Sequence, residues 1–274
     1  MTSKPGKRYP FADGTRNRFG KSSLGSGLSA SNSNTRIVQR GQLQPTPSVG
    51  LSPQVSTSVN LGLNSERSRG MMIERLRRQG ITDERVLAAM QAVPRHQFVD
   101  QGLASRAYED DALPIGFAQT ISQPWVVAHM ISLVCDQKIP NKVLEVGAGC
   151  GYQAAVLAQL VKEVYAVERI KGLCDMARDH MRQLGLSQRA RIMFGDGMQG
   201  YPAAAPYDAI VVAAAGPVIP RSLLEQLTLG GRLIAPEGTT QQRLVLVERT
   251  GQATWRREEL DAVRFVPMRA GTQI

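Results

Sequence analysis

Three glycines could place a ligand directly against the protein backbone. Gly147, Gly149 and Gly151 interrupt the segment VLEVGAGCGYQAAVLA, residues 143–158, between an apolar run and a helix-forming run. In a doubly wound sheet, a glycine-rich turn after the first strand is where a ligand meets bare backbone and a helix N-terminus. The spacing G-A-G-C-G departs from the G-x-G-x-x-G of dinucleotide sites, so it disfavours dinucleotide binding. A simple tight turn is the alternative interpretation.

Carboxylates follow at the ends of the next two predicted strands. Glu168 lies 17 residues after Gly151, where an acidic side chain can accept hydrogen bonds from both hydroxyls of a ribose. The third strand runs into FGDG, which places Asp196 and Gly197 beside the expected position of an adenine. Each feature alone is compatible with a turn or a solvated carboxylate. Together they outline an adenosine site without a pyrophosphate, which fits S-adenosylmethionine with its amino-acid group near Glu145.

An alternation of apolar strands and helices must position these residues. The strands are predicted at residues 142–147, 163–168, 190–194, 208–213 and 231–235, with helices between them. This pattern is typical of an α/β fold, a doubly wound and mostly parallel sheet with helices on both faces. Two further strands are expected to pair as an antiparallel edge, at residues 242–248 and 260–266.

The N-terminal part of the chain divides into a tail and a helical layer. Residues 1–64 are rich in Ser, Gly, Asn, Thr, Gln and Pro, and we expect disorder because this composition buries little apolar surface. The ordered domain is expected to span residues 65–274. Within it, residues 65–137 are expected to add N-terminal helices and a substrate loop, including a helix from about Pro124 to Cys135 with proline in its first turn.

Most of the positive charge lies in the tail. Residues 1–68 carry nine basic and two acidic side chains, a net charge of +7, whereas the rest contributes +3 to the total of +10. We therefore favour an inert basic extension over a nucleic-acid or membrane arm. Three cysteines form no pairable framework, and no apolar run is long enough for a membrane helix. We expect a soluble cytoplasmic monomer that binds no metal ion.

The residues around the glycine turn resemble class I S-adenosylmethionine-dependent methyltransferases. Residues 145–151, Glu168 and the GDG sequence carry this resemblance, which implies a seven-stranded Rossmann-like sheet. A more specific resemblance rests on further segments, which include FAQTISQPWVVAHM (117–130), VYAVER (164–169), FGDGMQGYPAAAPYDAIVVAAA (194–215), PRSLLEQLTLGGRLIAPEG (220–238) and VRFVPM (263–268). These segments resemble the protein-L-isoaspartate O-methyltransferase family, and the resemblance covers about residues 66–274. The tail takes no part in it.

The family resemblance implies methyl transfer to the α-carboxylate of L-isoaspartyl residues in damaged proteins and peptides, the first step in their repair. A carboxylate has a reference pKa of about 4, so it is ionised at neutral pH and needs no strong general base. We therefore interpret the three histidines, His96, His129 and His180, as packing or surface residues. The work left for the protein is to align the carboxylate and to replace its water with oriented donors.

The segment QTISQP, residues 119–124, can supply those donors. The resemblance implies that Ser122 is the active-site residue, and we assign it a hydrogen bond to the substrate carboxylate with no covalent role. Thr120 offers a second hydroxyl. The alternative role for Ser122 is to cap the helix that begins at Pro124.

The remaining site assignments surround this segment. The residues assigned to S-adenosylmethionine are Gln119, Glu145, Gly147, Gly149, Gly151, Glu168, Asp196 and Gly197. Those assigned to the substrate are Ile121, Val266 and Pro267, the last two through backbone contacts with an extended peptide. Arg264 could attract the substrate carboxylate, although an exposed strand arginine is usually solvated.

Other functions compete with this interpretation. A methyltransferase for exocyclic amines of bases would carry a polar residue and Pro-Pro-aromatic after the fourth strand, where this chain has VVAAAG, residues 211–216. A cytosine-carbon methyltransferase would need a Pro-Cys dipeptide, which the chain lacks. A non-catalytic binding protein on the same fold is disfavoured by the intact Glu145, Glu168, Asp196 and QTIS. The basic tail leaves RNA as a secondary partner to test.

Overall fold

A seven-stranded sheet lies at the centre of the computed structural model, which describes residues 58–136 and 138–274, with side chains from residue 65. The strands of the described chain are β1 Leu113–Gly116, β2 Gln119–Ile121, β3 Lys142–Val146, β4 Glu163–Glu168, β5 Ala190–Phe194, β6 Tyr207–Val212, β7 Leu227–Glu237, β8 Gln242–Arg249 and β9 Trp255–Val263. The last seven form the sheet in the order β5-β4-β3-β6-β7-β8-β9. Strands β3 to β7 pair in parallel and β8 and β9 pair antiparallel, which confirms the predicted fold.

The central strand β3 buries both of its faces. Val143 belongs to one apolar core, and Leu144 and Val146 belong to the other. Successive side chains of a strand point to opposite faces, so a strand buried on both sides reads as a continuous apolar run. Because β4 and β6 lie on either side of β3, the strand order reverses there, and the crevice outside its carboxyl end is where ligands of such sheets bind.

The helices of the described chain precede and connect the strands. They are α1 Ser58–Arg78, α2 Glu84–Ala92, α3 Pro124–Cys135, α4 Tyr152–Leu160, α5 Lys171–Gln183 and α6 Arg221–Glu225. The helix predicted at Pro124 is confirmed, whereas α1 begins seven residues before the expected start at Ser65. None of these helices is long and apolar enough to cross a membrane. The tail predicted to be disordered lies outside the described residues as far as residue 57.

The last strand differs from its predicted position. We expected it at residues 260–266, but β9 spans Trp255–Val263. Its first half, WRREE, is charged and largely exposed, which an edge strand tolerates. Because this composition is also typical of a loop, the sequence did not indicate a strand there. Phe265 and Val266 lie beyond the end of the strand, and the carbonyl of Val266 instead accepts a hydrogen bond from the amide of Ala215, 2.8 Å away.

A short hairpin of β1 and β2 was not predicted from the sequence. Its register pairs Leu113 with Ile121 and Pro114 with Thr120. The two turn residues, Phe117 and Ala118, have φ angles of 52° and 54°. Two-residue hairpin turns with positive φ at both positions favour Asn and Gly, which are missing here, so the sequence carries no hairpin signal.

The C-terminal segment crosses the carboxyl edge of the sheet. The amide of Met268 donates to the carbonyl of Ala215, just after β6, at 2.7 Å. Further along, the amide of Gln273 donates to the carbonyl of Arg169, just after β4, at 2.8 Å. Residues 266–273 therefore span the ends of two strands and cover the crevice between them.

Candidate active site

A cavity of about 380 Å³ opens at the carboxyl edge of the sheet. Most of the residues that we assigned from the sequence line it, namely Gln119, Thr120, Ile121, Ser122, Glu145, Gly147, Gly149, Glu168, Gly197, Val266 and Pro267. Gly151, Asp196 and Arg264 do not line it. The hairpin, the glycine turn, the ends of β4 and β6 and the C-terminal segment thus contribute walls to one chamber.

The glycine turn brings backbone to the cavity wall. Gly147, Gly149 and Gly151 all have positive φ, between 54° and 88°. A Cβ on Gly149 would lie 3.2 Å from the Cδ1 of Ile115, across the cavity wall, so a side chain there would crowd the chamber. Gly151 serves a different purpose, because a Cβ there would lie 3.1 Å from the Cβ of Ala177 on α5. Its glycine allows α4 and α5 to pack closely.

Both carboxylate oxygens of Glu168 are held by backbone amides. Oε2 accepts from Gly149 at 2.9 Å, and Oε1 accepts from Ile170 at 2.8 Å. The side chain is buried and lines the cavity. Because a carboxylate offers about four acceptor positions, each oxygen can take a further hydrogen bond from a ligand hydroxyl. The carboxylate is therefore fixed in place before any ligand arrives.

Three polar atoms of cavity-lining residues are buried without a hydrogen-bond partner in the described part of the chain. They are Oε2 of Glu145, the hydroxyl of Tyr152 and Nε2 of Gln153, a residue in the first turn of α4 that sequence reasoning missed. Burial raises the pKa of Glu145 well above its ordinary value. The neighbouring side chain of Gln153 opposes part of this rise, so the two groups lie close together. Oε2 of Glu145 and Nε2 of Gln153 nevertheless form no hydrogen bond of good geometry, and because buried polar groups are normally paired, both atoms are available to a polar ligand. They fit the ammonium and carboxylate of the amino-acid group of S-adenosylmethionine.

Asp196 and Gly197 occupy different positions relative to the cavity. The carboxylate of Asp196 accepts from the amide of Met198 at 2.9 Å and from the amide of Gly271 at 2.8 Å. It therefore fastens the C-terminal segment to the end of β5. Gly197 lines the cavity, and a Cβ there would lie 2.6 Å from the Cγ1 of Val146. Only glycine fits at this position without a shift of the Val146 side chain.

The segment that carries Thr120 and Ser122 is anchored by a buried arginine. Arg95 is fully buried, and its Nη2 donates to the carbonyl of Ser122 at 2.7 Å while its Nε donates to the carbonyl of Ala107 at 2.7 Å. Its guanidinium lies 4.7 Å from the ring centroid of Tyr152, which lines the cavity. Burial lowers the pKa of Arg95. Among the described residues no carboxylate forms a salt bridge with it. Nothing in the sequence PRHQF distinguishes this arginine from a solvated one.

The hydroxyl of Ser122 does not cap helix α3. Gln123 occupies the N-cap position and its side chain makes no capping hydrogen bond. The amide of Trp125, in the first turn, instead donates to Oδ1 of Asp110 at 3.0 Å. The capping alternative for Ser122 is therefore wrong, and the residue lies on the cavity wall.

The histidines and the cavity-lining cysteine are engaged in packing. His96 forms a hydrogen bond with the hydroxyl of Tyr108, and His180 forms one with the carbonyl of Cys150. His129 stacks on Trp125. No histidine lines the cavity among the residues that the structure describes. Burial raises the pKa of the Cys150 thiol to about 11, so it stays protonated and unreactive at neutral pH.

Comparisons with known proteins agree on one family. A family model described as Protein-L-isoaspartate(D-aspartate) O-methyltransferase (PCMT) matches residues 67–273. A protein-L-isoaspartate O-methyltransferase of Bordetella petrii is 64% identical over 255 residues, which cover 93% of this chain and 93% of the relative. One of Burkholderia thailandensis is 54% identical over 85% of this chain and 70% of its own length.

Solved structures show the same fold. A protein-L-isoaspartate O-methyltransferase aligns with a TM-score of 0.68 and 27% identity, over 75% of this chain and 67% of that chain. A structure from Plasmodium falciparum, solved in complex with S-adenosyl-L-homocysteine, aligns with a TM-score of 0.65 and 24% identity, over 73% of this chain and 97% of that one.

Proposed function

The chain belongs to the protein-L-isoaspartate(D-aspartate) O-methyltransferase family, and from that premise we propose how its own residues carry out the reaction. The enzyme transfers a methyl group from S-adenosylmethionine to the α-carboxylate of L-isoaspartyl residues in damaged proteins and peptides, which initiates their repair. One observation carries our assignment of roles. A single cavity is lined by the hydroxyl-bearing segment at residues 119–122, by the glycine turn and by Glu168.

The cofactor roles follow from the polar groups of the cavity. Bound S-adenosylmethionine supplies a methyl group activated by a positively charged sulfur. Glu168 would accept hydrogen bonds from the ribose hydroxyls, since backbone amides already hold both of its oxygens. Glu145 and Gln153 would bind the amino-acid group through their unpaired polar atoms. Gly147 and Gly149 leave room for the ligand against the backbone.

The substrate roles belong to the hairpin and the C-terminal segment. Thr120 and Ser122 would donate hydrogen bonds to the substrate carboxylate and orient one oxygen towards the methyl group. Arg95 would act through Ser122 as a positioning residue because it holds the Ser122 carbonyl. Val266 and Pro267 would contact the peptide. Arg264 is exposed and away from the cavity wall, so we assign it no role.

Labelled S-adenosylmethionine tests the activity directly. The enzyme is incubated with an isoaspartyl peptide and with its ordinary aspartyl twin, and the label that enters each peptide is counted. We expect label in the isoaspartyl peptide alone. Equal labelling of both peptides, or of neither, would reject the assignment.

Ser122→Ala is expected to lower kcat by about ten- to a hundredfold while the affinity for S-adenosylhomocysteine stays the same. The reason is that one hydrogen bond to a charged group contributes roughly 1.5–3 kcal/mol, and Ser122 is assigned to the substrate and not to the cofactor. Steady-state methylation gives kcat, and calorimetry gives the affinity. A variant that lost cofactor affinity but kept kcat would show that the roles are reversed.

Binding of S-adenosylmethionine is expected to release protons through Glu145. Burial raises the pKa of this carboxyl in the free protein, so the carboxyl is protonated over a wider pH range than usual. A bound cation stabilises the ionised form and lowers the pKa again, so binding releases a proton at pH values between the two. The affinity should therefore rise with pH across that window. Calorimetry in buffers of different ionisation enthalpy measures the release, and Glu145→Gln should abolish it. A wild-type enzyme that releases no proton contradicts the prediction.

For location and partners we keep the expectations drawn from the sequence. Three free cysteines, all buried, support a reducing compartment such as the cytoplasm. We expect a monomer, which sedimentation would test. Salt-dependent retention on immobilised RNA, with and without residues 1–64, would test whether the basic tail binds nucleic acid.

A further inference from the structure

Phe117 is an exposed aromatic residue held in an unfavourable backbone conformation. It lies in the turn between β1 and β2 with 52% of its surface exposed. Its φ of 52° and that of Ala118, 54°, place two successive non-glycine residues in the left-handed region. Residues other than glycine are strained in this region, and strain of this kind persists where the surrounding structure fixes it, often at ligand clamps.

The ring of Phe117 rests on Gly172 in the first turn of α5. A Cβ on Gly172 would overlap the Cζ atom of the ring and lie 3.0 Å from Cε1 and Cε2. The φ angle of Gly172 is not in the left-handed region, so its backbone does not require glycine. What requires glycine is the close approach of the ring.

This contact joins two walls of the cavity. Phe117 lines it from the hairpin, whereas Glu168, Ile170 and Leu173 line it from β4 and the start of α5. Glu168 is the residue assigned above to the ribose, and Gly172 follows it by four positions. Gly172 itself does not line the cavity, so the ring joins the hairpin to α5 at the edge of the chamber, on the side where the nucleoside of the cofactor is assigned.

We propose that Phe117 is a cofactor-binding residue that clamps the nucleoside of S-adenosylmethionine, and that its ring must leave Gly172 for the cofactor to exchange. The inference rests on the proposed cofactor roles. An aromatic face suits this task because it can contact the flat face of the adenine ring without needing a hydrogen bond. The strained turn holds the ring over the chamber, while the same hairpin carries Thr120 and Ser122 at its other end.

The test measures the dissociation rate of S-adenosylhomocysteine from the full-length protein, by displacement in a stopped-flow instrument. Phe117→Ala is expected to raise this rate by about tenfold, in line with the loss of an aromatic contact to a nucleoside. Gly172→Ala, which keeps the ring but pushes it off α5, is expected to raise the rate as well. Leu229→Ala removes another exposed apolar side chain, away from the cavity, and should leave the rate unchanged.

The outcomes separate the clamp from a simple anchor for the hairpin. An anchor would lower kcat in Phe117→Ala, because Thr120 and Ser122 would be misplaced, without changing the dissociation rate of S-adenosylhomocysteine. That result, or an unchanged rate in both variants, overturns the clamp. A wild-type protein that does not bind S-adenosylhomocysteine at all would instead overturn the proposed cofactor roles. Because Phe117 is half exposed, its removal should leave the melting temperature close to that of the wild type.

Discussion

Arg95→Met is expected to lower the free energy of unfolding by about 2–5 kcal/mol. The methionine fills much of the same space but donates no hydrogen bond. The carbonyls of Ala107 and Ser122, both 2.7 Å from the guanidinium, would lose their donor. A buried acceptor left unsatisfied costs roughly 1–3 kcal/mol. Removal of a buried cation that has no carboxylate partner among the described residues offsets part of this loss. Urea denaturation of both proteins measures the difference.

Arg95→Lys serves as the matched control for charge. An ammonium keeps the positive charge but lacks the planar fork that reaches two carbonyls at once. We therefore expect a loss of stability close to that of Arg95→Met. If Arg95→Lys were as stable as the wild type, the positive charge of Arg95 and not the planar fork of its guanidinium would be the source of the stabilisation. A methionine variant within about 0.5 kcal/mol of the wild type would contradict the prediction altogether.

Substitution of Arg95 is also expected to lower kcat while leaving the affinity for the cofactor unchanged. Arg95 does not line the cavity, but the segment that it holds carries Ser122, which does. At a temperature where Arg95→Lys is fully folded, kcat for the isoaspartyl peptide should fall and the affinity for S-adenosylhomocysteine should stay near that of the wild type. If Arg95→Lys merely reduced the fraction of folded protein, the methylation rate and the binding of S-adenosylhomocysteine would fall in proportion.

The sheet and the glycine turn were predictable because their signals are local. Apolar runs alternating with helices specify buried parallel strands, and the carboxyl ends of such strands meet at one edge. That rule alone brings Gly149, Glu168 and Gly197 to one cavity. The resemblance then supplied Thr120 and Ser122, which no periodicity would have marked.

The parts that the sequence did not reveal depend on contacts between distant residues. Arg95 reads as a surface residue, and its burial follows from two carbonyls 12 and 27 residues away. The carboxylate of Asp196, a residue assigned to the cofactor, also accepts from the amide of Gly271, 75 residues later, and no local pattern predicts that contact. The turn at Phe117 has positive φ angles that its side chains disfavour. In each case tertiary structure overrides the local preference.

Glu168→Gln is expected to weaken the binding of S-adenosylhomocysteine by about a hundredfold or more. In the wild-type protein the carboxylate of Glu168 accepts hydrogen bonds from two amides, those of Gly149 and Ile170. A glutamine presents an NH₂ group at one of these positions, so a donor would face a donor and the side chain or the glycine turn would have to move. The variant also loses the charge that strengthens hydrogen bonds from the ribose hydroxyls, each of which contributes roughly 1.5–3 kcal/mol.

Glu163→Gln is the matched control because Glu163 begins the same strand, β4, at the opposite end from the cavity. Its carboxylate pairs with Arg191 on the exposed surface, and its substitution should leave the affinity for S-adenosylhomocysteine unchanged. Calorimetry on the three proteins at one pH gives the dissociation constants. If Glu168→Gln changed the constant by less than about threefold, Glu168 would not bind the ribose, since a lost charge-assisted hydrogen bond alone should exceed that change. The fixed carboxylate would then serve only to hold the glycine turn against the start of α5.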